Sequence, residues 1–590
     1  MRRHPGTHYR NGTTEVVLYA PTASEAWLHL ADHQAERALT KQDDGYFTLT
    51  ADDLPPGTRY LLRTNKMRTP RPDPASRYQP DGVHAASAIV DDALFTEDRF
   101  AWPGRPLSEM VLYELHIGTF TKEGTLEAAI EWLHLLVKLG VNTVELMPLN
   151  QFPGARNWGY DGVYWQAVQN SYGGPEQLVQ FIDAAHELDL AVIIDAVYNH
   201  LGPEGNYLPK FGPYLTEKHH TPWGPAVNLD DAGADGVRDL ILASAKTWLV
   251  DYGADGLRLD AVHALRDSSA THILEAMSSA AKTWSAEVRR PLTLIGECDL
   301  NDPSYITPAR EGGLGLHGQW TDEFHHALRT HMTGETRGYY ADFGSRDALI
   351  QSLRSGYNYV GQYSEHRKRR FGKMPTGREL HQFVVFGQNH DQIGNRAIGD
   401  RLNHHLSEAE YLLQAATVIW SPFTPMLWMG EEYAETNPFP YFVDHGDPAI
   451  LAATRKGRMR EFAPFVEEGQ EVPDPGLKRT FTSAKLTHKR KGKVYNFYRE
   501  ALAVRRQYWP LRERNLGTHD VEELHGGLIG WRMPLTDGRR IIVLANFGDD
   551  DAALSSLSPG WDVLASRLRA YTNKPSDVLA AKAAAVWLTA

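Results

Sequence analysis

Three short apolar runs each close on a carboxylate: Gly256-Leu257-Arg258-Leu259-Asp260, Leu294-Ile295-Gly296-Glu297 and Gln388-Asn389-His390-Asp391. Each is short enough for a buried strand, and an apolar core does not accept an unpaired acid at its end. Two carboxylates flanking a glycosidic bond, with a third to stabilise positive charge, is the chemistry of sugar hydrolysis. Arg258 and Asp260 lie two apart, so their side chains leave the same face of a strand. A guanidinium there keeps Asp260 ionised, as a nucleophile must be. Glu297, on another strand, is then the natural proton donor, its pKa raised by burial and a neighbouring carboxylate. Asp391, beside His390, can bind sugar hydroxyls and favour an oxocarbenium-like transition state.

Something must bring three distant segments together. From Met110 onward, strand-like runs alternate with helical periodicity. Val111–His116 precedes a helix with Leu126, Ile130, Leu133 and Val137 on one face and Gly140 as its C-terminal cap. Val144–Met147 precedes a helix opening at Pro175 with Leu178, Phe181, Ile182 and Ala185 spaced for burial, and Leu190–Asp195 is a further apolar strand. Another helix, with Val237, Leu240, Ile241, Trp248 and Leu249, leads to the strand carrying Asp260. At least seven such strands between residues 110 and 432 predict a parallel sheet closed as a (β/α)8 TIM barrel, whose C-terminal rim collects functional residues. A doubly wound sheet lacks its glycine-rich phosphate turn after the first strand.

The flanks follow another rhythm. Four short strand-like runs between residues 16 and 62, broken by Asp43-Asp44-Gly45 and Pro55-Pro56-Gly57, predict an N-terminal β-sandwich, with the proline-rich 69–74 as its exit. Gly527–Trp531 and Arg540–Leu544 predict a C-terminal antiparallel β-domain. The expected division is 1–90 for the sandwich and linker, 91–510 for the barrel with insertions, and 511–590 for the last domain.

A chain of 590 residues divides into several domains, and 42% hydrophobic with 23% charged residues is the composition of a globular protein. A formal net charge of −13 argues against nucleic acid or an anionic membrane as partner. The single cysteine, Cys298, excludes an intrachain disulfide and suits a reducing compartment. The basic Met1–Gly6 is not followed by an apolar signal core, and no run approaches the ~18 apolar residues of a membrane span. The expectation is a cytoplasmic protein.

Asp195-Ala196-Val197-Tyr198-Asn199-His200, Gly256–Asp260, Gly296-Glu297 and Asn389-His390-Asp391 resemble, in order, the four signature regions of the α-amylase superfamily, glycoside hydrolase family thirteen. The resemblance makes Asp260 the nucleophile, Glu297 the acid/base and Asp391 the transition-state stabiliser. Arg258, His200 and His390 would line the sugar subsite, with Asp195 a structural or subsite acid. A narrower likeness, to the trehalohydrolases that act on maltooligosyltrehalose, rests on Asn157–Gly162, Asp260–His263, Gly296–Asn301, Gln388–Arg396, Pro72–Arg77, Pro438–Phe442 and Asp444-His445. It implies retaining cleavage of the α-1,4 bond beside a terminal α,α-1,1-linked trehalose, with no cofactor. It also implies functional pairing with a maltooligosyltrehalose synthase, and about 5–5.5 Å between the Asp260 and Glu297 carboxyl groups. Glycogen branching or debranching enzymes and a catalytically silent glycan-binding member are the alternatives.

Trp158, Tyr160, Tyr113 and Trp223 are candidates for stacking on sugar rings. His263 and Asp299, flanking the two catalytic candidates, are candidates for recognising the trehalose end. Cys298 is expected to be buried and inert. His219-His220 and His404-His405 lack zinc-type spacing, and Asn199 has no acidic calcium loop around it, so no metal is assigned. The basic run Arg455–Arg460 is expected to be a solvated helix face.

Overall fold

The computed structural model describes residues 3–31, 35–95, 102–221, 224–462, 471–557, 561 and 577–589; Trp223 lies outside them. Eight parallel strands close a barrel: β1 (Leu112–Leu115), β2 (Thr143–Leu146), β3 (Ala191–Ala196), β4 (Gly256–Leu259), β5 (Thr293–Glu297), β6 (Gly318–Trp320), β7 (Phe383–Phe386) and β8 (Thr424–Trp428). β8 returns to β1 through Met426 opposite Leu112 and Trp428 opposite Glu114. The sequence reading named no run for β6 or β8; β6, only three residues long, gives no period to detect.

Alternation along the strands decides which residues reach the barrel interior. Leu112, Ile193, Ile295, Trp320, Val384, Phe386 and Met426 form an apolar plug there. On β1, Leu112 belongs to that plug and Glu114 reaches His390 inside the barrel, so Tyr113 between them points outward into the surrounding layer. Tyr113 is fully buried, its hydroxyl donating to Glu432 and accepting from the Gly430 N–H (3.0 Å). It has no open face, which corrects its assignment as a sugar-stacking residue.

The helices form where periodicity and caps agree. Leu126–Leu139 starts on the Thr125 hydroxyl, which accepts from Ala128 N, and stops at Gly140, whose φ of 112° is open to glycine. Its buried face is Leu126, Ala129, Leu133, Leu136 and Leu139, rotated from the expected one, so Ile130 and Val137 are only partly covered. Gly174–Glu187 matches its predicted start and buried set. Ala234–Lys246 runs into a π-helical turn at Thr247–Asp251, which buries Trp248 and Leu249 before β4.

Two antiparallel four-stranded sheets make the N-terminal sandwich. The proline-rich run is not its exit: Arg71 pairs with Leu62, buried Asp73 accepts from Tyr60 Oη (2.7 Å), and Ser87–Ala88 still pairs with Arg59–Tyr60. The sandwich docks on the barrel through Tyr19, whose hydroxyl donates to Gly233 O (3.0 Å). Gly236 permits that approach, since a Cβ there would sit 2.4 Å from the Tyr19 ring. At the other end, Asp520–His525, Leu528–Pro534, Arg540–Asn546 and Ala583–Thr589 form an antiparallel sheet. Its Trp531 donates to Trp420 O (2.8 Å), and both indoles are fully buried. Truncating either to alanine would cost about 3–5 kcal/mol. Among the described residues, no helix is long and apolar enough to cross a membrane.

Candidate active site

Arg258 is the centre of the site. It leaves β4 into the barrel, fully buried, with its guanidinium 4.2 Å from the Trp320 ring on β6. Nη1 donates to Asp195 on β3 (2.9 Å) and to Asp260 Oδ1 (2.8 Å), while Nη2 lies 2.8 Å from Glu297 Oε2 in an ion-pair contact. One cation thus faces three carboxylates in a low-dielectric pocket, and all three cannot remain ionised.

The surroundings decide which acid keeps its charge. Burial pushes Asp260 upward, but Arg258, His200 and the Asn199 amide, which donates at 2.7 Å, outweigh it and hold the carboxyl below its ordinary range. Glu297 is pushed well above the carboxylate range, first by burial and then by the charges of Asp260 and Asp391, against the pull of Arg258. Its Oε2 also accepts the Ala261 N–H (2.8 Å). Ala261 has a φ of 38°, a left-handed conformation that L residues adopt only under strain, and this turn aims that N–H at the acid. Burial raises Asp195 to about 7, and Tyr160 donates to it (2.6 Å). The cluster therefore sets a carboxyl held below its ordinary range, Asp260, beside one pushed above it, Glu297, the asymmetry that acid-assisted nucleophilic substitution uses.

Asp391 does not end a strand. β7 stops at Phe386, and Asn389 caps a short helix, His390–Gly394, with Asp391 in its first turn. That side chain is one-third exposed. His390 is buried and stacks on Tyr160 at 5.1 Å; its Nε2 meets the Tyr160 hydroxyl at 2.8 Å. His200 is pinned by Tyr160 O (2.9 Å) and Asn199 Oδ1. Arg258, Asp260, Glu297, Asp195, Tyr160, His200, His390 and Asp391 thus assemble on one rim.

Trp158 is buried with its indole donating to Pro440 O (3.2 Å), stacked on Phe439 and edge-on to His390. It supports His390 from behind rather than offering a face to a sugar, which corrects its assignment. His263 and Asp299 come within 3.9 Å of each other, each partly exposed, and Arg367 donates to Asp299 (3.1 Å). Cys298 is buried, its thiol pushed up by burial.

Sequence reasoning missed several groups. Glu114 accepts from His390 at both Nδ1 (2.5 Å) and the backbone N–H (3.1 Å). Burial lowers His390, but Glu114 and Asp391 raise it to about 9, so the ring is cationic near neutrality. Glu145 lies opposite Glu114 on β2, buried and pushed well above the carboxylate range by burial and by Glu114. Asp322, opening the helix after β6, is raised to about 7 by burial and by Asp391 and Asp299, and accepts from Gln392 (3.1 Å). The signal was an acid inside an apolar run for Glu114 and Glu145; for Asp322 there was none, because β6 was not seen.

A family model for the α-amylase catalytic domain matches residues 88–220. The chain is 45% identical to a malto-oligosyltrehalose trehalohydrolase of Saccharolobus solfataricus over 82% of this chain and 83% of that one. It is 50% identical to one from Rhizobium sp. over 75% of each. The crystal structure of a presumptive α-amylase from Salmonella typhimurium superposes over the whole of both chains with a TM-score of 0.91 at 35% identity. A Group B Streptococcus pullulanase shares the fold alone, with a TM-score of 0.74 at 16% identity.

Proposed function

Since the chain belongs to the malto-oligosyltrehalose trehalohydrolase family of the α-amylase superfamily, we propose that it cleaves the α-1,4 bond beside the terminal α,α-1,1-linked pair of maltooligosyltrehalose, releasing trehalose with retention of configuration. The observation that carries this reading is that one guanidinium, Arg258, reaches both Asp260 (2.8 Å) and Glu297 (2.8 Å), whose surroundings push their pKa values in opposite directions. Asp260 attacks the anomeric carbon as Glu297 gives its proton to the departing glycosidic oxygen. Glu297, now a carboxylate, takes a proton from water, whose oxygen displaces Asp260 from the anomeric carbon. Sharing one guanidinium keeps the two acids close, as the retaining route needs. Asp391 holds the hydroxyls of the reacting sugar; the cationic His390, its ring nitrogens taken by Glu114 and Tyr160, lies behind them, and Tyr160 and His200 wall the subsite.

Trehalose has no reducing end, so preference for it over linear maltodextrin must come from polar groups satisfied only by the 1,1-linked pair. His263 and Asp299, facing each other at the rim, supply such groups. The test is to incubate the protein with maltooligosyltrehalose and, separately, with maltoheptaose, chromatograph the products, and follow the first-formed anomer by NMR. Trehalose from the first substrate, slower cleavage of the second and an α-anomer support the reading. A β-anomer refutes the retaining step, and equal cleavage of both substrates refutes the specificity.

A further inference from the structure

The basic run Arg455–Arg460, expected to be solvated, is so at Lys456, Gly457, Met459 and Arg460. Arg455 pairs with Asp474 (2.8 Å), away from the catalytic acids. Arg458 differs. It lies on the helix Pro448–Phe462 that follows the barrel, and its side chain is only 16% exposed. The guanidinium sits 4.7 Å from the Tyr441 ring and 4.5 Å from the Phe462 ring. Its Nη2 donates to Gly394 O (2.8 Å), and Nη1 donates to Asn395 Oδ1 (3.3 Å) and Glu461 Oε2 (3.2 Å).

Gly394 O and Asn395 Oδ1 close the short helix that carries Asp391. Gly394 O is one of the carbonyls a helix end leaves without an internal partner, and a cation there is favourable. The Asn395 amide has one oxygen and one NH2 group, so a donor fixed on its oxygen forces the NH2 to the opposite side. There Nδ2 donates to Asp391 Oδ1 (3.1 Å), while the Asn395 backbone N–H returns to Asp391 O (3.0 Å). Asp391 is one-third exposed, and a carboxylate with that freedom needs an oriented donor to stay in one rotamer.

We propose that Arg458 is a positioning residue for the hydrolytic reaction, fixing the Asp391 carboxylate by orienting the Asn395 amide and capping the helix at Gly394. This inference rests on the role given to Asp391 above. An arm reaching in from a helix outside the barrel thus sets the geometry of an acid on its rim.

The test is a mutant cycle read as kcat/KM on maltooligosyltrehalose. R458A and N395A should each lose roughly 30- to 100-fold, the scale expected of a misplacement near ~1 Å. Because both break one relay, the double variant should be no worse than the poorer single. R458K, whose ammonium keeps the charge but lacks the planar fork that spans Gly394 O and Asn395 Oδ1, should recover part of the loss. R455A, on the same helix but without contact to the relay, should stay within twofold. If R458A does not fold by circular dichroism, N395A and N395A/R458K carry the same test, with equal losses expected. Losses that multiply in the double variant, or full turnover by R458A while D391N is inactive, overturn the positioning role. Full turnover by D391N overturns the role of Asp391 itself.

Discussion

Replacing Glu114 with glutamine removes the charge that keeps His390 cationic while retaining a carbonyl able to accept from the ring. Both side chains are about 1% exposed, and both carboxylate oxygens of Glu114 bind His390. The folded protein holds the imidazolium up to about 9, against an ordinary value of 6.5. The native state therefore keeps a proton that the unfolded chain sheds, so the pairing stabilises fully below pH 6.5 and fades as pH rises through 9. At ~1.36 kcal/mol per pH unit that gap is worth about 3 kcal/mol. For a barrel-sized cooperative unit, at ~2.1 cal/mol/K per residue, the loss lowers the unfolding midpoint by roughly 4 °C. Scanning calorimetry of wild type and E114Q at pH 6.0, 7.5 and 9.5 reads this directly. The midpoints should be furthest apart at pH 6.0 and converge by pH 9.5. A separation that does not change with pH would show that Glu114 only fills space and accepts hydrogen bonds, and the argument from charge would fail.

Four further outcomes follow from the same cluster. Glu297→Gln should lower turnover of maltooligosyltrehalose by about 10²–10⁴, yet spare much of the first step on an α-maltosyl fluoride, whose leaving group needs no proton; equal losses on both would remove the acid role. Wild-type kcat/KM should be bell-shaped, lost on the acid side as Asp260 gains a proton below its depressed pKa and on the alkaline side as Glu297 loses its proton through its raised one. Arg258→Gln should move the acid limb to higher pH, and an unmoved limb would mean another group controls it. Gly394→Ala would place a Cβ 1.9 Å from Cη2 of buried Trp158, so kcat should fall at least tenfold with far-ultraviolet circular dichroism unchanged; normal turnover would show that the Asp391 helix can shift without consequence.

The chain itself determined the barrel and most of its rim. Apolar runs such as Leu190–Asp195 and Leu294–Glu297 are too short and too β-branched or leucine-rich to be anything but buried strands, and an acid at the end of such a run has to be paired. That is local information, written in consecutive residues. The parity of Arg258 and Asp260 is equally local, and it put Asp260, just past the end of β4, on the same side as Arg258. The left-handed Gly140 cap and the helix beginning at Gly174 also follow from neighbouring residues.

What only the tertiary structure decided is which side chains share a dielectric and a partner. Tyr113 and Trp158 have the right chemistry for stacking on a sugar, but closure of the barrel turned one outward and packed the other behind His390. Asp391 left the strand for a helix, because Asn389 offered a cap where the sequence suggested a strand end. Glu114, Asp322 and Arg458 are 276, 69 and 67 residues from Asp391 or its neighbour His390, distances over which no spacing rule operates. Their effect arises because burial strengthens charge interactions only between groups that folding brings together. The sequence could name three acids at the ends of three segments. It took the closed barrel to bring Asp260 and Glu297 onto one arginine, which holds Asp260 below its ordinary range, while burial and the charges of Asp260 and Asp391 push Glu297 up against that cation's pull.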